Sequence, residues 1–218
     1  QLFAQGATLG AGATMEVIGT GNTALLRSPL TDPDNNGNEA AGSTNPSWDW
    51  KSITACCEPG FDGTPVAGTP AGTERSFNVF DHLVDGGGAA KWCCGEPLTP
   101  ANVGTTNPLW ITVEFPYQVR LTHFTVTSGN DTPGRDPRDW RVLGSTNGTN
   151  WTAIFTQVGE GEWQDASVWG ATRLQVNRFN LDHPAPPYSF IRWECTSTYS
   201  TPPFTTAAAF FQVSEIEY

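Results

Sequence analysis

Positive charge is scarce in this 218-residue chain: 11 Lys and Arg stand against 22 Asp and Glu, a formal net charge of -11. Such a balance repels a phosphate backbone and an anionic lipid surface alike, so neither nucleic acid nor an acidic membrane is an expected partner. Its plain consequence is solubility, and its sharper one is a capacity for a divalent cation. Long apolar runs are missing too: the longest, residues 207–211, is far short of the ~20 residues a membrane-crossing helix needs. Long amphipathic helices are excluded by 23 glycines and 17 prolines spread along the chain, since each weakens a helix interior. The three histidines, His82, His123 and His183, stand in no nucleophile, zinc-binding or Gly-x-Ser-x-Gly context, so no hydrolase is expected. No segment repeats at a fixed period. A chain that starts at Gln1 without a basic and apolar leader reads as a mature product.

What is present points to an oxidising compartment. The five cysteines are two adjacent pairs, Cys56-Cys57 and Cys93-Cys94, and a lone Cys195. The pairs are expected to form disulfides that tie a long loop region to the segment around residue 93, each closed loop stabilising by about 3 to 4 kcal/mol. Adjacent cysteines do not match zinc-ligand spacing. Cys195 shares strand parity with Ile191 and Trp193, so it is either a small buried side chain or an interchain bridge. Acceptor sequons for N-glycans begin at Asn130, Asn147 and Asn150, in keeping with an extracellular address.

Along the chain, residues 1–28 are small and weakly patterned, and residues 29–76 are rich in turn chemistry. The first segment either packs on its own domain as its first strands or adds as a strand to a neighbouring copy, as in a homo-oligomer or filament. From Phe77 strands become regular. In residues 110–115, Ile111, Val113 and Phe115 alternate with Thr112 and Glu114, which predicts a half-buried strand. Residues 119–127 change parity near Thr122-His123, which predicts a bulge or bend. Residues 141–145, 151–157, 174–179 and 190–197 are further strands, and Asn147-Gly148 suits a tight hairpin turn. Trp92, Trp110, Trp140, Trp151 and Trp193 are expected in the core. The fold class is all-β, an antiparallel sandwich.

The order of the motifs adds a family likeness. Asp85-Gly86 leading to Lys91-Trp92, the Trp110 strand, the hairpin from Gly144 to Trp151, Phe190-Ile191-Arg192 and Ser214-Glu215-Ile216-Glu217-Tyr218 together resemble the discoidin or coagulation-factor type C domains. That group includes many galactose-binding-like carbohydrate-binding modules. The resemblance covers residues 77–218 and implies a jelly-roll β-sandwich, with residues 1–76 as an N-terminal extension and disulfide-pinned loop region. It also implies ligand binding by loops at one end and a structural calcium beneath the Asp-Gly loop. Family spacing to Trp92 picks Asp85 as a ligand, an alignment with an insertion picks Asp81, and Glu215 would come from the last strand. The loop chemistry suits calcium, which takes six to eight oxygens, although Ala90 stands where the family often has a Thr ligand. Glu215 shares parity with Phe211 and Val213, which points it inward, where a cation would offset its burial cost; a bulge would turn it the other way, because Ile216 and Tyr218 are also apolar.

For a glycan or cell-surface ligand, aromatic faces stack on sugar rings while Arg, Asn and carboxylates fix hydroxyls. Trp48, Trp50, Arg135, Arg138 and Trp163 sit in polar loops and are the candidate ligand residues. The expectation is a secreted, non-catalytic recognition or adhesion module, with a structural subunit of an extracellular assembly as the alternative.

Overall fold

The computed structural model describes residues 16–18, 25–27, 52–56, 74, 76–80, 84, 91–93, 108–159, 173–199 and 211–218. Strands β3 (Ser52–Ala55), β5 (Leu109–Val119), β10 (Tyr188–Thr198), β7 (Pro137–Ser145) and β8 (Thr152–Gln157) lie side by side in that order as a five-stranded sheet. A second sheet orders β12 (Glu215–Glu217), β6 (His123–Thr127) and β9 (Val176–Asn180). Short strands β4 (Trp92–Cys93) and β11 (Gln212–Val213) pair beside them, and β1 (Glu16–Ile18) and β2 (Leu25–Arg27) form a hairpin. All pairings are antiparallel. The architecture is the expected β-sandwich. Residues 52–55 of the N-terminal region supply its edge strand, β3, and β2 runs beside β12 of its own chain.

Period-two alternation builds the core. Ile111, Val113 and Phe115 of β5 and Ile191, Trp193 and Cys195 of β10 are buried on the inner face. Across from them Phe124 of β6 meets Trp140, Phe155 and Phe179 with ring centroids 6.0, 5.2 and 5.3 Å apart. Phe211 fills the remaining corner, 5.0 Å from Trp92 and 5.6 Å from Trp193. Each such ring pair contributes roughly 0.5–1.5 kcal/mol beyond simple burial.

Several expectations need correcting. Of the bulge or bend expected at Thr122-His123 the structure has the bend, a corner where the chain leaves the large sheet and enters the small one, held by the Leu181 N–H on the Thr122 carbonyl at 2.9 Å. The hairpin at Asn147-Gly148 is wider than a two-residue turn. Only Gly148 takes positive φ, at 72°, and Ser145 and Asn147 side chains organise the loop between β7 and β8. At Ser214 the chain switches sheets, so Ile216 pairs with core Val126 while Glu215 and Glu217 occupy the other face of β12. Glu215 is nonetheless fully buried. Cys195 is a free, buried thiol whose Sγ–H donates to the Ser197 carbonyl at 3.2 Å, and burial raises its pKa above the ordinary range. It cannot bridge to another chain from there.

Candidate functional site

One end of the sandwich collects polar chemistry. The loop of residues 128–136 leaves β6 and enters β7 there, beside the start of β9 and beside β11 and β4. Inside the loop lies a buried carboxylate, Asp136, at 0% exposure. Arg173 grips it with both guanidinium nitrogens, at 2.5 and 2.7 Å, the bidentate geometry that suits this pair. Burial pushes the Asp136 carboxyl up to about 6, against the opposing pull of Arg173. The same guanidinium donates through Nε to the Gly129 carbonyl at 3.1 Å, and the Leu174 N–H reaches that carbonyl too. Gln212 of β11 donates to the carbonyls of Asp131 and Thr132 at 2.8 and 3.2 Å. It packs so closely on Gly129 that a Cβ there would lie 2.3 Å from its side chain, so the position requires glycine.

Outside this frame stands the rim. Lys91, almost wholly buried, directs its ammonium to Asn130 Oδ1 at 2.8 Å and to the carboxylates of Glu74 and Asp131 at 3.6 Å each. Arg135 reaches Asp131 at 3.7 Å. Asp131 is half exposed and Glu74 about a third exposed. The loop, its backbone held by Arg173 and Gln212 from elsewhere in the chain, thus brings Asn130, Asp131 and Arg135 together beside Glu74, an amide, two carboxylates and a guanidinium, the set that can fix hydroxyl groups by paired hydrogen bonds.

The expected ligand residues divide. Arg135 is on the rim, one turn after Asp131. Arg138 is drawn inward: its Nη1 lies 3.3 Å from Asp139, and its side chain closes with the Tyr199 hydroxyl over Gly159. Asp139 is itself held by the Gly159 N–H at 3.0 Å and by Ser197 Oγ. Trp48, Trp50 and Trp163 lie outside the described residues, although the residues that flank the segment carrying Trp163, Gly159 and Arg173, both stand at this end. Lys91, Glu74, Arg173 and Gln212 were not singled out by sequence reasoning. Lys91 carried a signal, its place in the Lys-Trp motif; Arg173 and Gln212 carried none.

Asp81 and Asp85 also lie outside the described residues. Their surroundings are partly visible: the 3₁₀ turn Ser76–Phe80 packs against β12, and Phe80 and Tyr218 rings lie 6.3 Å apart. The chain therefore leaves this turn next to the strand that carries buried Glu215. Among the described residues no group of three His, Cys, Asp or Glu side chains is placed to hold a metal. Cys93 is disulfide-bonded, and its partner, like Cys57 and Cys94, lies outside the described residues. Contrary to expectation Cys56 is not in a disulfide: it keeps its thiol, whose Sγ accepts the Trp110 N–H at 3.1 Å. Of the sequon residues, Asn147 and Asn150 are exposed on the hairpin at the opposite end, and Asn130 is half-buried against Lys91.

Two tryptophans expected in the core are elsewhere. Trp110 and Trp151 are half-buried on the outer face of the large sheet, where they sandwich the Arg192 guanidinium at 4.1 and 4.0 Å. Arg192 also donates to Thr112 Oγ1 at 2.8 Å and lies 3.6 Å from Glu194. Trp92, Trp140 and Trp193 are core residues as expected, at 2, 1 and 0% exposure.

Solved structures share this architecture. CBM32-3, from a family 31 glycoside hydrolase of Clostridium perfringens, superposes with a TM-score of 0.50 at 15% identity, covering 75% of this chain and 88% of that one. The F5/8 type C domain of a Bacteroides fragilis protein superposes with a TM-score of 0.51 at 16% identity, covering 83% and 95%. The fold is that of the type C, discoidin-like domains and family 32 modules, and at these identities the likeness is one of fold. No protein-family model matches the sequence, and no curated protein does.

Proposed function

We propose that this chain is a secreted, non-catalytic module that binds glycans at the rim formed by Glu74, Asn130, Asp131 and Arg135. The observation that carries the reading is the loop of residues 128–136. Its backbone is held by Arg173 and Gln212, which leaves the side chain of Asp131 half exposed and that of Arg135 partly exposed beside it. Rim charges balance, with Glu74 and Asp131 against Lys91 and Arg135, so neutral sugars are the expected class. The fold shared with a carbohydrate-binding module of Clostridium perfringens supports the same reading. Trp163 and, from the N-terminal region, Trp48 and Trp50 are proposed as stacking faces.

Calcium is proposed as a structural ion held by Glu215 with Asp81 or Asp85. Hard oxygen donors would supply its ligands, and the ion would offset the cost of burying the Glu215 carboxylate. The disulfide of Cys93 is proposed to join β4 to the long loop region, and the exposed Asn147 and Asn150 to carry glycans in a secreted product.

The test is a glycan array probed with the protein in calcium and again after chelation. Retention of neutral glycans, lost in an Asp131→Ala variant that still folds, is the expected result. An array that retains the protein on no glycan in either condition overturns the reading.

A further inference from the structure

The geometry points to Asp136 and Arg173 as positioning residues for the rim: their buried fork holds the loop in one arrangement, so that Asn130, Asp131 and Arg135 meet a ligand already ordered. This deepens the glycan-binding reading and rests on it for its ligand arm. Neither side chain reaches the rim surface. Asp136 is at 0% exposure and the Arg173 side chain at 18%. Both ends of the loop are nevertheless tied to them. Arg173 Nε takes the Gly129 carbonyl, at the start of the loop. Its two terminal nitrogens take Asp136, at the end. Between these points the chain is closed by the Arg135 N–H on the Thr132 carbonyl at 2.9 Å and the Asp136 N–H on the Pro133 carbonyl at 3.0 Å.

One guanidinium therefore spans the loop from its second residue to its last. Lysine at this place would keep the charge but could not make three divergent N–H contacts in one plane. Around Asp136 stand Arg173 ahead of β9, Asp131 and Arg135 of its own loop, the Tyr199 N–H at the end of β10, which donates to the Asp136 carbonyl, and Gln212 of β11 with Lys91 behind it. Burial disfavours the charged form of Asp136. By linkage, closing the loop on this carboxyl is easier when it holds a proton, so the loop is held more firmly as pH falls through 6.

The experiment compares wild type with Arg173→Lys and Asp136→Asn by hydrogen exchange, reading protection factors for the amides of Arg135, Asp136 and Leu174 against those of Gly148 and Asn150 in the distant hairpin. The same proteins are applied to the glycan array. In Arg173→Lys, loop protection is expected to fall roughly tenfold or more, the loss of one charge-assisted hydrogen bond, with the hairpin unchanged. Retention on neutral glycans is expected to fall with it. In wild type, loop protection rises on acidification through 6, and in Asp136→Asn this dependence is gone. Should Asp136→Asn fail to fold, the wild-type pH profile and Arg173→Lys still decide. Equal loop protection in wild type and Arg173→Lys overturns the positioning role. Reduced protection alongside a wild type that binds no glycan leaves the role standing and overturns the glycan reading instead.

Discussion

The two ends of the sandwich solve the same problem, how to satisfy the backbone of a connecting loop, in opposite ways. At the hairpin end, the loop between β7 and β8 is self-contained. Ser145 Oγ accepts the N–H groups of Asn147 and Gly148, and Asn147 Oδ1 accepts those of Thr149 and Asn150, all within 3.2 Å. Nothing from another strand is needed. At the rim end, the loop of residues 128–136 depends on Arg173, Gln212 and Lys91, which arrive from three other places in the chain. A self-satisfied turn makes no demand on the fold and is free to vary. A loop held from outside is fixed in shape by the fold, which is what a recognition surface requires.

The comparison breaks most sharply at Arg173. Arg173→Met leaves Asp136 buried without its counter-ion, and a loss of about 3–5 kcal/mol in urea unfolding is expected, whereas no single side chain of the hairpin loop matters as much.

The next effect is pH linkage, which runs in opposite directions at the two ends. Asp136 titrates in the folded state near 6, above its ordinary 3.8. Its stabilisation is complete below the ordinary value and is lost as pH rises through 6. His123, at the corner near the hairpin end, is held at about 4, first by burial and then by Arg178, against an ordinary 6.5. Its stabilisation is complete above 6.5 and is lost as pH falls through 4. Each is worth about 2–3 kcal/mol over its window, the smaller figure for the less enclosed His123. The two slopes overlap and largely cancel in wild type. Asp136→Asn should therefore unmask a stability that rises with pH across this range, and His123→Gln one that falls. Parallel pH profiles for all three proteins would contradict the assignment.

Smaller again is Gly144→Ala. Its Cβ would lie 2.1 Å from the Tyr188 ring, and a loss of about 1–3 kcal/mol follows if the buried ring cannot yield. Smallest is Asn147→Ala, which removes the hairpin's own acceptor and should cost about 1 kcal/mol in thermal unfolding, without effect on loop 128–136.

The same contrast explains what could be read in advance. The strand at residues 110–115 was legible because alternation is local, and the hairpin because Ser, Asn and Gly act on their own neighbours. The corner at Thr122-His123 was legible as a bulge or bend but not as a change of sheet, because a parity change in one dimension looks the same whether the strand kinks or changes sheets. Trp110 and Trp151 were assigned to the core because a tryptophan in a strand has the same sequence signature whether it packs inward or stacks on a guanidinium outside; Arg192, on the neighbouring strand, decided the matter. Arg135 was legible as a loop cation. Arg173 and Gln212 were not, since each acts on the 128–136 loop across at least 37 residues of sequence and carries no local mark of doing so.

The most direct test of the central claim is a side-by-side glycan array of wild type and the Asp131→Ala/Arg135→Ala double variant at neutral pH, with unfolding midpoints measured on the same preparations. The account predicts that wild type is retained on neutral glycans and that the variant, equally stable, is not. Equal retention of both proteins would place recognition elsewhere on the sandwich and contradict the account.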